Sequence, residues 1–201
     1  MMIEPDGGPR SVTFPVALPL VAMAAVSLLS AFLLAPVAAA AYRGEPAELS
    51  ATVRSGLWVM GLASPLVALA KGAALAAVAW AVLVLGGAQP RFRGLLGALV
   101  AGEVILAVQA LWMAGLLRLR GLGGIHSPAD LSIPTGLDVI FSDPSTPLGA
   151  MAVSVTPFHL AWLLFLGWAF LRLGAGSRTL AAVAAVACWL PAPLLQMVVA
   201  L

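Results

Sequence analysis

Residues 65–117 read PLVALAKGAALAAVAWAVLVLGGAQPRFRGLLGALVAGEVILAVQALWMAGLL. Two runs built mainly of Ala, Leu and Val, 65–85 and 94–117, flank a Gly-Gly turn that carries Arg91 and Arg93, and each run holds a single charge, Lys71 and Glu103. At ~1.5 Å of rise per residue, helices of these lengths measure about 31 and 36 Å, enough to cross the ~30 Å hydrocarbon core of a bilayer. The short connection allows only an antiparallel hairpin. This stretch therefore reads as two membrane spans joined by a tight, basic turn.

The rest of the chain has the same character. Hydrophobic residues make up 62% of the 201 and charged residues 9%, where a soluble domain carries roughly 25% charged. No charge falls between Arg10 and Arg43, between Lys71 and Arg91, between Asp143 and Arg172, or after Arg178. Those gaps are membrane-sized, and the expected architecture is an all-α polytopic bundle of about five transmembrane helices with short surface helices, forming one membrane domain over 1–201. Spans are expected at 16–41, 65–85, 94–117, 147–173 and 178–200, with one long outer loop at 118–146.

Local signals refine these limits. The first apolar run is longer than a secretory signal core of roughly 7 to 15 residues, and Glu4 and Asp6 interrupt the basic lead. A retained helix is therefore favoured over a cleaved signal, although the alanines at 38–41 would suit a peptidase. Residues 45–63 mix Leu49, Val53, Leu57 and Met60 with Glu48, Ser50, Thr52 and Arg54, which predicts a separate interfacial helix. Ser64 before Pro65 and Thr146 before Pro147 read as helix starts. Pro157 is expected to kink the fourth span, and Pro191 and Pro193 to bend the fifth. In the outer loop, Thr135 and Asp138 resemble a capping box, followed by Ile140 and Phe141 on a short apolar face. Trp58, Trp112 and Trp162 fall near expected helix ends or bends, where an indole can sit at the interface. Spans two with three and four with five look alike: each hairpin has an Ala-Trp pair (Ala79-Trp80, Ala161-Trp162), a Gly-containing basic turn and a late Gln (Gln109, Gln196).

The two tight turns hold Arg91, Arg93, Arg172 and Arg178 and no acid, whereas the long loop holds Asp130, Asp138 and Asp143. By the positive-inside rule, the N-terminus is expected in the cytoplasm and the C-terminus outside. Ten scattered Lys and Arg residues form no basic run, so nucleic acid is not an expected partner. Cys188 is alone in an apolar segment, which excludes a disulfide framework and a Cys-rich metal site. His126 and Asp130 are four apart, but Pro128 intervenes and two ligands make no site. HExxH, GxSxG and a phosphate-binding Gly loop after a strand are all absent, so neither an enzyme, a metal nor a cofactor is expected.

Ionisable groups at membrane depth are rare and costly, which singles out Lys71, Glu103 and His159, with Gln109 nearby. Counting helical rise from the basic turns places Glu103 and His159 in one layer and Lys71 towards the outer interface. Two readings stand. Glu103 and His159 meet between spans three and four as a proton-exchanging or cation-binding pair, or each satisfies a local backbone need, His159 those left by Pro157. Gly94, Ala98 and Gly102 form a smooth ridge for close helix packing, with self-association as the lesser alternative, and Ala73, Ala77 and Ala81 form another on span two.

The stretch 9–14 with Pro19, the turn LGGAQPRFRGLLG with Phe92 and Arg93, and residues 155–170 with Phe158 and Trp162 resemble the YIP (Ypt/Rab-interacting protein) family in its bacterial branch. Thr156 and Pro157 depart from the pattern, standing where an acidic or amide residue would precede the aromatic. The resemblance implies a five-span fold with a cytoplasmic N-terminus in the inner membrane. The Rab-linked role of eukaryotic members rests on longer N-terminal regions and is not carried over to a lead of about 14 residues. Some bacterial members look like accessory partners of ABC exporters. Two functions are therefore expected to compete: a non-enzymatic scaffold or accessory subunit of a membrane assembly such as an ABC exporter, and a small ion- or proton-coupled transporter or channel using Glu103 and His159.

Overall fold

The computed structural model describes residues 14–42, 47–125, 127, 131, 152 and 155–199, and every regular element among them is helical. Helix α1 is Ala17–Ala41, α2 Ala47–Leu85, α3 Phe92–Arg120, α4 Pro157–Arg172, α5 Arg178–Trp189 and α6 Pro191–Val199, with a 3-10 turn at Leu122–Gly124. Four helical stretches, Ala17–Ala41, Ala51–Leu85, Phe92–Arg120 and Arg178–Leu195, are long and apolar enough to cross a membrane, and Pro157–Arg172 is a shorter apolar helix. The protein is thus an all-α, multi-pass membrane protein. Positions 126, 128–130 and 132–151 lie outside the described residues, and with them the expected capping box at Thr135, the His126 and Asp130 pairing and the Thr146-Pro147 start.

Two prolines act differently from their sequence-based reading. The expected interfacial helix at 45–63 and span at 65–85 are one continuous helix, α2, with Pro65 inside it. Proline has no N–H for the carbonyl four residues back, Gly61. The Ser64 hydroxyl donates to that carbonyl at 2.9 Å instead, so the break is repaired locally. Pro157, expected to kink the fourth span, is the first residue of α4. Thr156 has extended backbone and accepts the His159 amide on its hydroxyl, the usual N-cap arrangement with proline at the first helical position. In the fifth span the helix is interrupted at Leu190, before Pro191, as the missing proline donor requires.

Helix α3 is the centre of the bundle, touching α1, α2 and α4, while α5 closes the far side against α2 and α4. The core gathers Ala76, Ala79 and Leu83 of α2, Leu95 and Leu99 of α3, Trp162, Leu166 and Phe170 of α4, and the Ala-rich face of α5 with Cys188. Trp162, expected near an interface, is 2% exposed in this core. The two Ala-Trp pairs also differ: Ala79 is buried and Trp80 exposed, whereas Ala161 is exposed and Trp162 buried. The expected resemblance of the hairpins therefore does not extend to equivalent packing.

The α3 ridge is where helices approach most closely. A Cβ on Gly94 would lie 2.8 Å from the Leu173 side chain, and one on Gly102 2.9 Å from Trp162 Nε1, with Ala98 fully buried between them. Gly97, on a neighbouring face, admits the backbone carbonyl and Cβ of Phe14. On α2 the buried small residues are Gly72, Ala76 and Ala79, while Ala77 and Ala81 of the expected ridge are exposed. The contacts Phe14 with Gly97, Gly86 with Leu180 and Gly94 with Leu173 bring the start of α1 and both basic turns to one end of the bundle. Phe14 packs edge-on against Phe165 and Trp168 there, and Arg172 lies 5.8 Å from the Trp168 ring centroid.

Glycine in a helix costs about 1 kcal/mol relative to alanine. Where a methyl group has room, at Gly115 and Gly167, alanine should raise the thermal stability of the detergent-solubilised protein by roughly 0.5–1 kcal/mol. At Gly97, where the obstacle is Phe14 backbone, alanine should lower it by roughly 1–3 kcal/mol. Differential scanning fluorimetry of the three variants checks the sign.

Candidate functional site

Depth along the bundle decides which polar side chains matter, because hydrocarbon supplies no hydrogen-bond partners. Measured from the basic turns at ~1.5 Å per residue, Glu103 stands about 17 Å up α3, Lys71 about 21 Å up α2 and His159 about 20 Å up α4. A bilayer with its headgroups is ~40–45 Å thick, so these three side chains belong near its middle. Gln109 and Thr156 follow at about 25 Å. Helix α4 has 16 residues, about 24 Å, so its N-terminus, with its partial positive charge, also lies near mid-membrane.

Lys71 Nζ donates to Glu103 Oε2 at 2.9 Å. Glu103 is therefore held by Lys71 of α2, and no contact with His159 is formed. The reason is azimuthal. Consecutive residues on an α-helix lie about 100° apart, so Gly102 facing Trp162 of α4 turns Glu103 towards α2. Lys71 lies deeper than expected because α2 ends at Leu85, before the turn, so Arg91 is a poor origin for counting its depth. Its side chain is 46% exposed while that of Glu103 is 8% exposed, so the ion pair opens on one side of the bundle. Glu103 Oε1 is buried with no hydrogen-bond partner, and so is the indole N–H of Trp162, beside Gly102.

His159 joins a second set. The Thr156 hydroxyl lies 2.8 Å from His159 Nδ1 and 3.4 Å from Gln109 Oε1, and it receives the His159 amide at 3.2 Å. A hydroxyl has one hydrogen and two lone pairs. All three contacts are satisfied together when Nδ1–H and the amide donate to Oγ1 and Oγ1–H donates to Gln109. That assignment protonates Nδ1 and leaves Nε2 an acceptor. His159 is also within electrostatic reach of the Lys71 ammonium. The four polar residues singled out by sequence, Lys71, Glu103, Gln109 and His159, thus occupy one layer between α2, α3 and α4, but as two sets.

Neither Thr156, a departure from the family pattern, nor Trp162, expected at an interface, is placed in this layer by the sequence alone. Thr156 carried a usable signal, a hydroxyl before proline with a polar residue three places on, a pattern that favours a helix start. For Trp162 no signal separates an interfacial indole from a buried one. Among the described residues no group of three or more His, Cys, Asp or Glu side chains could hold a metal ion. Cys188 is buried and unpaired, with its thiol 3.5 Å from the Leu75 carbonyl. Compared with family models, curated proteins and solved structures, the chain matches none of them.

Removing one member of the ion pair strands the other in a medium of low polarity. Glu103→Leu should destabilise the protein by roughly 2–4 kcal/mol, and Lys71→Met/Glu103→Leu together should recover most of that loss. The check is a double-mutant cycle on unfolding in mixed micelles. Additive effects would mean that the two groups do not interact. Separately, Thr156→Val should cost about 1–2 kcal/mol through the lost cap, and Thr156→Ser far less.

Proposed function

We propose that this protein is a non-enzymatic subunit of a membrane assembly, and that a transmembrane segment of a partner docks at the Lys71–Glu103 pair. The observation that carries this reading is the half-exposed lysine near mid-membrane, its ammonium turned to Glu103 rather than stretched to an interface. An ammonium has three donors, and one is engaged. Hydrocarbon offers nothing to the other two, whereas a polar side chain or an exposed carbonyl on a neighbouring helix does. Glu103 Oε1 also lacks a partner, but it is buried inside the bundle, so the lysine is the group open to a neighbour.

The partner class follows from the medium: a membrane protein with an intramembrane polar group, or a second copy of this chain. The resemblance to the bacterial YIP family supports an ABC exporter as that partner and the inner membrane as the site, with the N-terminus in the cytoplasm. The all-Arg tight turns at one end of the bundle support the same orientation.

A second reading has its own observation. The short helix α4 starts near mid-membrane, and Thr156, His159 and Gln109 form a chain of hydrogen bonds in the same layer as the ion pair. Interrupted helices with polar ends are how many transporters build ion sites. On this reading Glu103 and His159 serve a proton or cation path.

One pair of measurements separates the two. Extracted in polymer nanodiscs, the tagged protein should retain a stoichiometric membrane partner, and Lys71→Met/Glu103→Leu should reduce its recovery at least tenfold while thermal stability holds. Purified alone in liposomes, it should move neither protons nor monovalent cations. Flux from the pure protein that Glu103→Gln abolishes would replace assembly with transport.

A further inference from the structure

At the end of the bundle away from the basic turns, α1, α2 and α3 leave a cleft of about 390 Å3 lined by Phe32, Leu33, Pro36, Arg54, Trp58 and Arg118. The walls are apolar except for two guanidiniums from different helices. Neither Arg54 nor Arg118 forms an ion pair with an acid among the described residues. The hydroxyls nearest Arg54 on its own helix are already spent: Thr52 donates to the Glu48 carbonyl and Ser55 to that of Thr52. Arg118, in the last turn of α3, gains something from the negative end of that helix, but this does nothing for Arg54.

Height decides what such a cleft meets. Arg118 lies about 39 Å and Arg54 about 46 Å from the basic turns along their helices, against ~40–45 Å for a whole bilayer. Both guanidiniums therefore stand in the headgroup layer of the leaflet opposite the turns. Phosphate oxygens are the acceptors concentrated in that layer, and arginine matches their geometry with two parallel N–H donors. Phe32, Leu33 and Trp58 supply the apolar side that the upper part of an acyl chain requires, and an indole suits the boundary between the two.

We infer that this cleft is a binding site for one anionic phospholipid, its headgroup phosphate held between Arg54 and Arg118 and its acyl chain laid against Phe32 and Leu33. A free phosphate shares the charge but makes no use of the apolar wall. The inference is independent of the partner proposed for Lys71 and Glu103.

Native mass spectrometry of the intact protein, released from nanodiscs holding equal amounts of phosphatidylglycerol and phosphatidylcholine, tests it. The wild type should retain one phosphatidylglycerol about tenfold over phosphatidylcholine. Arg54→Gln/Arg118→Gln should bring that preference close to one, while Arg91→Gln/Arg93→Gln, in the opposite turn, should leave it in place. Arg118→Gln alone, the milder change, should give an intermediate value and serves where the double variant fails to fold. Equal retention of the two lipids by the wild type, or undiminished preference in both Arg54/Arg118 variants, overturns the inference. Displacement of the bound lipid by millimolar inorganic phosphate would overturn it as well, because the anion alone would then suffice.

Discussion

Hydrocarbon offers no partner to a backbone amide or carbonyl, and three of the exceptions to regular helix in this protein are met by a nearby hydroxyl. Pro65 would leave the Gly61 carbonyl bare, and Ser64 donates to it. The first amides of α4 would face the membrane interior, and Thr156 accepts one while Pro157 removes another. Ser177 does the same for α5 by accepting the Leu180 amide. A hydroxyl thus stands beside these three breaks, whereas α1 passes through Pro36 and α3 starts after Arg91 without one. Small residues then let the repaired helices come together, since packing in a membrane gains from close backbone approach where burial from water does not apply. That approach shapes α3: its glycine ridge admits Trp162 and Leu173 on one face, and the geometry of that contact turns Glu103 to Lys71 on the next.

Much of the fold was legible because the dominant signal is crude. Apolar runs with few charges, ended by Gly-Gly or Gly-x-Gly turns, give the same helices whatever the packing, and Gly87, Gly174 and Gly176 do take the left-handed backbone that such turns need. What was not legible turns on a single torsion. Ser64-Pro65 and Thr156-Pro157 both place a hydroxyl residue before a proline. In one the hydroxyl reaches back as a donor to a carbonyl, and the helix continues; in the other it reaches forward as an acceptor, and the helix begins. Packing makes that choice. Gly61 lies against Leu28 and Ala31 of α1, so the helix ahead of Pro65 is held in place by a neighbour.

The polar layer shows a similar division. Its residues and approximate height follow from counting helical rise, because rise is set by the backbone and needs no knowledge of neighbours. The pairing within it depends on azimuth, which follows only from knowing which face each helix turns to which partner. The glycine ridge held that information in part: residues 94, 98 and 102 pointing one way leave residue 103 about 100° round the helix. No comparable marker exists on α2, where the expected stripe at 73, 77 and 81 is largely exposed and the buried face runs through Gly72, Ala76 and Ala79. Alanine is small enough to sit on either side of a membrane helix, so an Ala-rich sequence marks its faces weakly.

These constraints also explain why the ion pair and the hydrogen-bonded set remain separate although they share a layer. Thr156 is occupied in full, with two donors on its lone pairs and its proton given to Gln109. It is committed to holding α4 in place, and it draws His159 and Gln109 into that task. Lys71 and Glu103 carry no such duty, since neither bonds to the backbone of a helix end, and both keep hydrogen-bonding capacity unspent. Of that unspent capacity, the part on Lys71 opens to the outside of the bundle and the part on Glu103 is enclosed, while the satisfied network beside them holds α4 in place.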